Sequence, residues 1–411
     1  MGCGASSVVA AAEPRWLANF PYLDSSISLV RAFSPDAVRS FASTDLDIRL
    51  AALERATAGS MPSTDEEVWR YSRIAELDLD TFVPGRATTT VTGGDPAAEV
   101  VTSAALGDLF DTEQAVDVFH ELNSAFMDAV LIRVRRGRTV EEPLVITHHL
   151  DADGVACFPR VVIEADDDAD VTVVEQFVSP EGVRALCVPR LEVNARQSAR
   201  VKYLGINMLG TSTWLLGHQR ATGERDSTML LSTVALGGDY ARMRTDARAV
   251  GAGASTRQVA LYYADGHQMH DFRTLQDHIA PKTSSDLLFK GAVQDHARSV
   301  YTGLIRIREA AKGSAAFQTN RNLTLSHGAW AESVPNLEIE TNDVKCSHAS
   351  TVGPIDEEQR FYLESRGIAP DVAERLVVLG FFDEVLDQLP VGPLASGLRE
   401  QVSAKLQRRI A

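Results

Sequence analysis

The sequence predicts a mainly β protein with a long central β region between two helical regions. Strand-like segments recur from about residue 88 to residue 353, and glycine-containing turn signals separate them. Many segments alternate apolar and polar residues, as in IRIR at 305–308, which indicates one buried and one solvated face. Capped helical patterns follow residue 356. We therefore expect an N-terminal helical region at 1–85, a β core at 86–354 and a C-terminal helical domain at 355–411.

The composition is typical of a globular protein that binds neither nucleic acid nor membrane. Of 411 residues, 45% are hydrophobic and 23% are charged, and the formal net charge is −16. An acidic chain lacks the clustered Lys and Arg of a nucleic-acid-binding surface. No apolar run approaches the roughly 18 residues that a membrane span requires. Four cysteines without a CxxC pair indicate free thiols and a reducing compartment, so we expect a cytoplasmic protein.

The N-terminal region reads as interrupted helix. The first residues match the N-myristoylation pattern, with Cys3 as a second acylation candidate, although a disordered start is the alternative. Ser34 and Pro35 form a helix N-cap and first turn, and a further helix start is predicted within 64–72. In that segment Trp69 and Tyr71 could stack on a ligand, but packing against the next domain is the preferred interpretation.

The central region contains twelve strand-like segments and one helical insert at about 112–126. Such a series fits either a stacked β-solenoid or a large sandwich, and its length favours the solenoid. The segments are 88–91, 131–134, 143–146, 160–163, 171–177, 200–204, 229–234, 258–263, 287–289, 300–308, 315–325 and 337–340.

The C-terminal region is predicted to form three helices. Asp356 can cap the first, and Gly367 can close it. The second runs from about Pro370 to Pro390, and the third repeats Leu394, Leu398, Val402, Leu406 and Ile410 at helical spacing. This lobe can dock a partner or simply pack on the β core. Its candidate partner-binding residues are Phe361, Tyr362, Val372, Leu376, Leu379, Phe381 and Phe382; the adjacent pair Phe381 and Phe382 cannot both face one core.

The most informative candidate site is Cys346 with His348. Positions i and i+2 of a strand share a face, so the thiol and imidazole would project side by side. Both are ligands for iron, zinc or copper. Two ligands leave a metal shell incomplete, so the others must come from elsewhere in the chain or from another subunit. A buried structural pair is the alternative.

Other histidines, cysteines and carboxylates are better explained by structural roles than by catalysis or metal binding. His267 and His270 would need a turn to share a metal, and Cys157 and Cys187 lie among apolar neighbours. The carboxylates at 166–170 are typical of a solvated turn. The P-loop, HExxH and GxSxG patterns do not occur.

Several motifs closely resemble the SufB/SufD family of iron–sulfur cluster assembly scaffolds. The most specific are VKCSHASTVG at 344–353, FYL at 361–363 and SRGI at 365–368. Similar motifs upstream are EVWRYS at 67–72, HDFRT at 270–274, QTNRNL at 318–323 and PNLEI at 335–339. The resemblance runs from about residue 65 to 390.

The resemblance implies a right-handed parallel β-helix core flanked by N-terminal and C-terminal α-helical regions. It also implies a complex in which a SufB-like subunit pairs along the β-helix and a SufC-like ABC ATPase docks on the C-terminal helices. Cys346 and His348 would then lie at the SufB interface, where they take part in iron acquisition or nascent cluster binding. It leaves flavin binding open.

Within the family the sequence favours the SufD branch. SufB carries an essential cysteine near 318–325, and none occurs there; SufB also has a glutamate where this chain has Ala349. We expect a scaffold without enzymatic turnover. The alternatives are a stand-alone β-helix polysaccharide lyase or hydrolase, and a purely structural adaptor without a metal role.

Overall fold

The computed structural model describes residues 32–42, 44–109 and 115–407. We number helices α1–α6 and strands β1–β21 in chain order. Predictions for the N-terminal acylation pattern with Cys3, for Thr112 at the start of the helical insert and for Ile410 lie outside the described residues. No helix in the described part of the chain is long and apolar enough to cross a bilayer.

The core is a parallel β-solenoid of about eight turns, in which the chain alternates between two facing sheets. Successive turns stack in register: Tyr240 pairs with Met269, which pairs with Arg298. The first sheet contains β1 (Val83–Gly85), β3 (Ala98–Thr102), β4 (Asp128–Val134), β6 (Val155–Cys157), β7 (Pro159–Ala165), β9 (Ala185–Cys187), β10 (Arg190–Ala195), β12 (Trp214–Gly223), β14 (Tyr240–Ala249), β16 (Met269–His278), β18 (Arg298–Ile307) and β20 (Trp330–Ile339). The second contains β2 (Thr88–Gly93), β5 (Leu144–His149), β8 (Asp170–Val178), β11 (Arg200–Met208), β13 (Thr228–Ala235), β15 (Ser255–Ala264), β17 (Ser284–Val293), β19 (Ser314–Thr324) and β21 (Val344–Gly353).

Strand pairing decides between the two predicted architectures. The paired strands are parallel, apart from β2 with β5 and β3 with β4 at the N-terminal end. In-register parallel pairing of strands about one turn apart is the pattern of a solenoid rather than a sandwich. The predicted mainly β fold, with a parallel β-helix core and flanking helices, is confirmed.

Each predicted strand segment overlaps an observed strand. Eight strands of the first sheet are not among the predicted segments: the short strands β1, β3, β6 and β9, and the neighbouring strands β10, β12, β14 and β16.

The N-terminal helices cover the outer face of the first sheet. These are α1 (Pro35–Phe41), α2 (Leu46–Ala58) and α3 (Val118–Phe126), and their buried residues share one cluster with Leu216 and Tyr240 of the sheet. The Ser34 side chain caps α1 as predicted. The prediction of a helix start within 64–72 was wrong. Only a single 3-10 turn forms at Glu67–Trp69, and Tyr71 has a left-handed φ of 68° that stops helix growth.

Trp69 has a packing role, as preferred from the sequence. Its ring lies 5.9 Å from that of Phe119, and the Arg242 guanidinium lies 3.9 Å from its centre. The side chain is buried against the β core.

The C-terminal helices cover the outer face of the second sheet. They are α4 (Glu357–Ser365), α5 (Pro370–Leu386) and α6 (Gly392–Gln407). Asp356 caps α4 by accepting from the N–H groups of Glu358 and Gln359, and Gly367 adopts a φ of 85° just after its end. The buried side chains of α6, Leu398, Val402 and Leu406, follow the predicted spacing.

Lys405 fixes α6 to the solenoid. Its buried ammonium donates to the carbonyl oxygens of Leu236 and Tyr263 at 2.6 and 2.7 Å, and to Gln268 Oε1 at 2.6 Å. Asp265 lies 3.1 Å away and supplies the counter-charge.

Candidate functional site at the open end of the solenoid

Cys346 and His348 lie on β21, the last strand of the second sheet. They pair in register with Ala316 and Gln318 of β19, which are both buried. Paired residues of a parallel, in-register sheet project to the same face. The thiol and imidazole therefore lie on one face, on the interior side of the last turn, as the i, i+2 spacing predicts.

Burial distinguishes the two side chains. Cys346 is partly buried and packs on the apolar cluster of Ile305, Ile307 and Ala316, whereas His348 is exposed. This burial raises the pKa of the Cys346 thiol above its usual range. A thiolate there would be stabilised by a cation, and metal coordination supplies one.

The end of the solenoid beyond these residues is uncovered. Within the described chain, β21 pairs only with β19, and β20 pairs only with β18. Interior-side residues of these edge strands are exposed: Leu337 by 38%, Ile339 by 42% and Val352 by 44%. A long apolar edge with unpaired backbone groups is a template for pairing with another chain.

The pair alone does not make a metal centre. Among the residues that the structure describes, no group of three or more His, Cys, Asp or Glu side chains could hold a metal ion. A structural zinc site needs four protein ligands and a catalytic one about three. Any metal bound by Cys346 and His348 would need ligands from outside this part of the chain.

Two other cysteines and one other histidine have structural environments. Cys157 and Cys187 are buried core residues, as predicted. His270 is fully buried on β16 with Nε2 3.1 Å from the Gly237 carbonyl oxygen, and this burial lowers its pKa to about 3. His267 is exposed on the preceding turn.

The candidate docking residues of the C-terminal lobe differ sharply in exposure. Phe361 is 72% exposed and Tyr362 58% on α4, and Leu376 is 44% exposed on α5. Val372 and Leu379 are partly buried.

The two adjacent phenylalanines differ in burial, as expected because they cannot both face one core. Phe382 is fully buried against the second sheet, so it packs within the chain and has no surface for a partner. Phe381 is partly buried, and the Lys290 ammonium lies 4.7 Å from its ring centre.

Residues 148–381, more than half of the chain, match the family model described as the SufBD core domain of SUF system FeS cluster assembly. The chain belongs to the SufBD family. An iron–sulfur cluster assembly SufBD family protein of Mycobacterium tuberculosis is 33% identical over 385 residues, which are 90% of this chain and 92% of that protein. The iron–sulfur cluster assembly protein SufD of Escherichia coli is 30% identical over 73% of this chain and 71% of its own length. SufD of Bacillus subtilis is 30% identical over 66% of this chain and 62% of its own length.

One charged cluster of this SufBD chain was not predicted from the sequence. A column of basic residues crosses the outer face of the first sheet in register on β7, β10, β12, β14 and β16: Arg160, Arg190, His218, Arg244 and Arg273. The available signal is their recurrence once per turn of the solenoid. The individual spacings vary, so the repeat is visible only when the register is known.

Proposed function

We propose that this chain is a SufD-like scaffold subunit of a cytoplasmic SUF complex, without enzymatic turnover of its own. A SufB-like subunit pairs with the open end of the solenoid, and a SufC-like ATPase docks on the C-terminal helices. Cys346 and His348 contribute to a shared interface site that receives iron or a nascent cluster as cargo.

One observation carries this proposal: Cys346 and His348, two side chains of metal-binding type, lie on one face of the uncovered strand β21, and no group of three such side chains occurs among the described residues. An edge strand recruits a partner through its free backbone groups, and that partner can bring the missing ligands. The SufD relatives support the choice of partner.

The ATPase assignment is supported by the exposed aromatic pair of α4. Phe361 and Tyr362 present apolar surface on a helix that has no buried residue of its own. Exposed aromatic residues of this kind act as anchors in protein interfaces.

Co-expression tests the proposed assembly. With SufB and SufC from one organism, the tagged chain should co-purify with both as a complex of fixed stoichiometry. A stable monomer that retains neither protein would contradict the proposal.

Separate variants test the interface site. Cys346→Ala and His348→Ala should each lower iron affinity of the anaerobic complex by at least ~10-fold, because losing even a supporting partner of a metal site costs that much. Ser347→Ala is the matched control, since Ser347 lies between them on the opposite face and is exposed. Unchanged iron and cluster content in both variants would leave a purely structural adaptor.

A further inference from the structure

A second polar site lies on the outer face of the first sheet, far from β21 in register. It is a cleft of about 520 Å³, including space continuous with solvent, between the sheet, Trp69 and α3. The polar residues that line it and enter the argument are His120, Asn123, Arg190, His218, Arg242 and Arg244.

His120 offers an unused hydrogen-bond donor to this cleft. Arg190 Nη1 donates to His120 Nε2, and an arginine can only donate, so Nε2 must be the acceptor nitrogen. Burial, followed by the charge of Arg190, holds the pKa of His120 far below its usual range, so the ring is neutral. The proton therefore resides on Nδ1, which is buried and has no partner among the described residues.

Asn123 offers an unused acceptor. Its Nδ2 donates to the carbonyl oxygens of Pro159 and Val188 at 3.0 and 2.7 Å, which fixes the amide orientation. Oδ1 is buried and no described residue bonds to it. A ligand that satisfies both His120 and Asn123 must accept one hydrogen bond and donate another.

His218 has a second ring nitrogen without a hydrogen-bond partner among the described residues. Its Nε2 lies 3.1 Å from Asp246 Oδ2, so Nε2 carries the proton that this carboxylate accepts. Nδ1 is buried and unpaired within the described residues.

The charge around the cleft favours an anion. Three arginines, Arg190, Arg242 and Arg244, line the cleft together with one carboxylate, Asp117. Arg190 pairs with Glu192, Arg242 with Asp271 and Arg244 with Asp246. Asp117 caps α3, where it accepts from the His120 N–H at 3.0 Å.

We propose that this cleft binds a phosphate group. The arginines supply the positive charge, the His120 Nδ1–H donates to a phosphate oxygen, and Asn123 Oδ1 accepts from a protonated one. Sulfate has the same shape and charge but no proton near neutral pH, so it leaves the buried Asn123 acceptor unpaired. Such a mismatch is the basis of strong discrimination between ligands. The site is independent of the interface proposed above.

Calorimetric titration of the full-length chain tests the site. Inorganic phosphate at pH 7 should bind saturably with a dissociation constant of about 1 mM or tighter, and sulfate at least ~10-fold more weakly. Phenyl phosphate and inorganic phosphate compared at about pH 5, where both carry a proton, identify the source. Tighter binding of phenyl phosphate indicates a phosphate group of a larger molecule, and weaker binding indicates the free ion. Equal affinity for phosphate and sulfate, or no saturable heat with phosphate, would overturn the proposal.

Two arginines allow a matched comparison on the same sheet face. Arg244 and Arg306 are each paired with a carboxylate and each has a side chain 31% exposed, but only Arg244 lines the cleft. Arg244→Gln should weaken phosphate binding at least ~10-fold, the loss of one charge-assisted contact, whereas Arg306→Gln should bind as the parent does. Equal affinities of the two variants would refute the site.

A measurement on the unaltered chain covers the case in which Arg244→Gln does not fold. With 15N-labelled histidine, phosphate should shift the Nδ1–H resonance of His120, because that group donates to the ligand. An unshifted resonance at saturating phosphate would exclude the proposed contact.

Discussion

At the residue scale, burial separates one reactive thiol from two inert ones. Cys346 is partly buried, whereas burial raises the pKa of Cys157 to about 12 and that of Cys187 well above its usual range. The thiolate is the nucleophile, so alkylation of the native chain should modify Cys346 before Cys157 and Cys187, and the reaction at Cys346 should accelerate up to ~10-fold per pH unit below its raised pKa. Mass spectrometry of the peptides checks this. Modification of Cys157 as fast as Cys346 without denaturant would contradict it.

A buried histidine makes folding stability depend on pH. His270 stays neutral in the folded chain down to its pKa of about 3, whereas an unfolded chain protonates near pH 6.5. Protons therefore favour the unfolded state. The contribution of His270 is complete above pH ~6.5 and falls by up to ~1.4 kcal/mol per pH unit as acid is added towards pH ~3.

Denaturant unfolding at pH 7, 6 and 5 checks this prediction. His270→Gln should make the free energy of unfolding less dependent on pH, whatever its effect at pH 7. His267→Gln is the control, because His267 is exposed three residues away. An identical pH slope for His270→Gln and the parent would show that another group is responsible.

At the scale of elements, two aromatic residues of the C-terminal lobe should have opposite effects. Phe382→Ala removes a fully buried ring and should lower the free energy of unfolding by ~3–5 kcal/mol. Phe361→Ala removes a ring that is 72% exposed and should change it by less than ~0.5 kcal/mol. Only Phe361→Ala should weaken binding of the SufC-like ATPase while the chain stays folded. Denaturant unfolding and pull-down of the ATPase measure the two effects; full ATPase binding by Phe361→Ala would remove α4 from the proposed interface.

The strands that were predicted from the sequence differ from those that were missed in which parts of the chain cover their outer face. Alternating strands such as β18 carry a clear apolar and polar pattern. Four of the missed strands, β10, β12, β14 and β16, carry charged residues that are buried by the N-terminal segment, as with Arg242 and Asp271. Composition cannot distinguish buried, paired charges from a solvated loop, because the pairing depends on tertiary contacts.

The candidate site, like the strands, was predictable only in part. Cys346 and His348 follow from strand periodicity, and the structure gives them one face of β21. Their position on the uncovered last turn could not be read from local sequence, because it depends on how many turns precede them. The helix start within 64–72 failed for a related reason: packing of Trp69 onto the sheet overrides local helix signals.

At the scale of the whole molecule, the solenoid has two ends that differ in chemistry. The N-terminal edges are the short antiparallel strands β2 and β3, of six and five residues, whereas the C-terminal edges are the parallel strands β20 and β21, of ten residues each. Very short edge strands discourage pairing with another chain and long ones favour it, so the C-terminal end is the one suited to a second subunit.

Matched lysine substitutions at the two ends test this asymmetry. Leu337 on β20 and Val101 on β3 are similarly exposed, at 38% and 39%, so a lysine at either position should leave the chain folded. Leu337→Lys places a charge in the apolar open end and should weaken pairing with the SufB-like subunit by at least ~10-fold, because a buried unpaired charge is costly. Val101→Lys should pair as the parent does. Affinity measured by surface plasmon resonance decides: if Val101→Lys weakens pairing and Leu337→Lys does not, the partner binds the N-terminal end and the shared site at Cys346 has no physical basis.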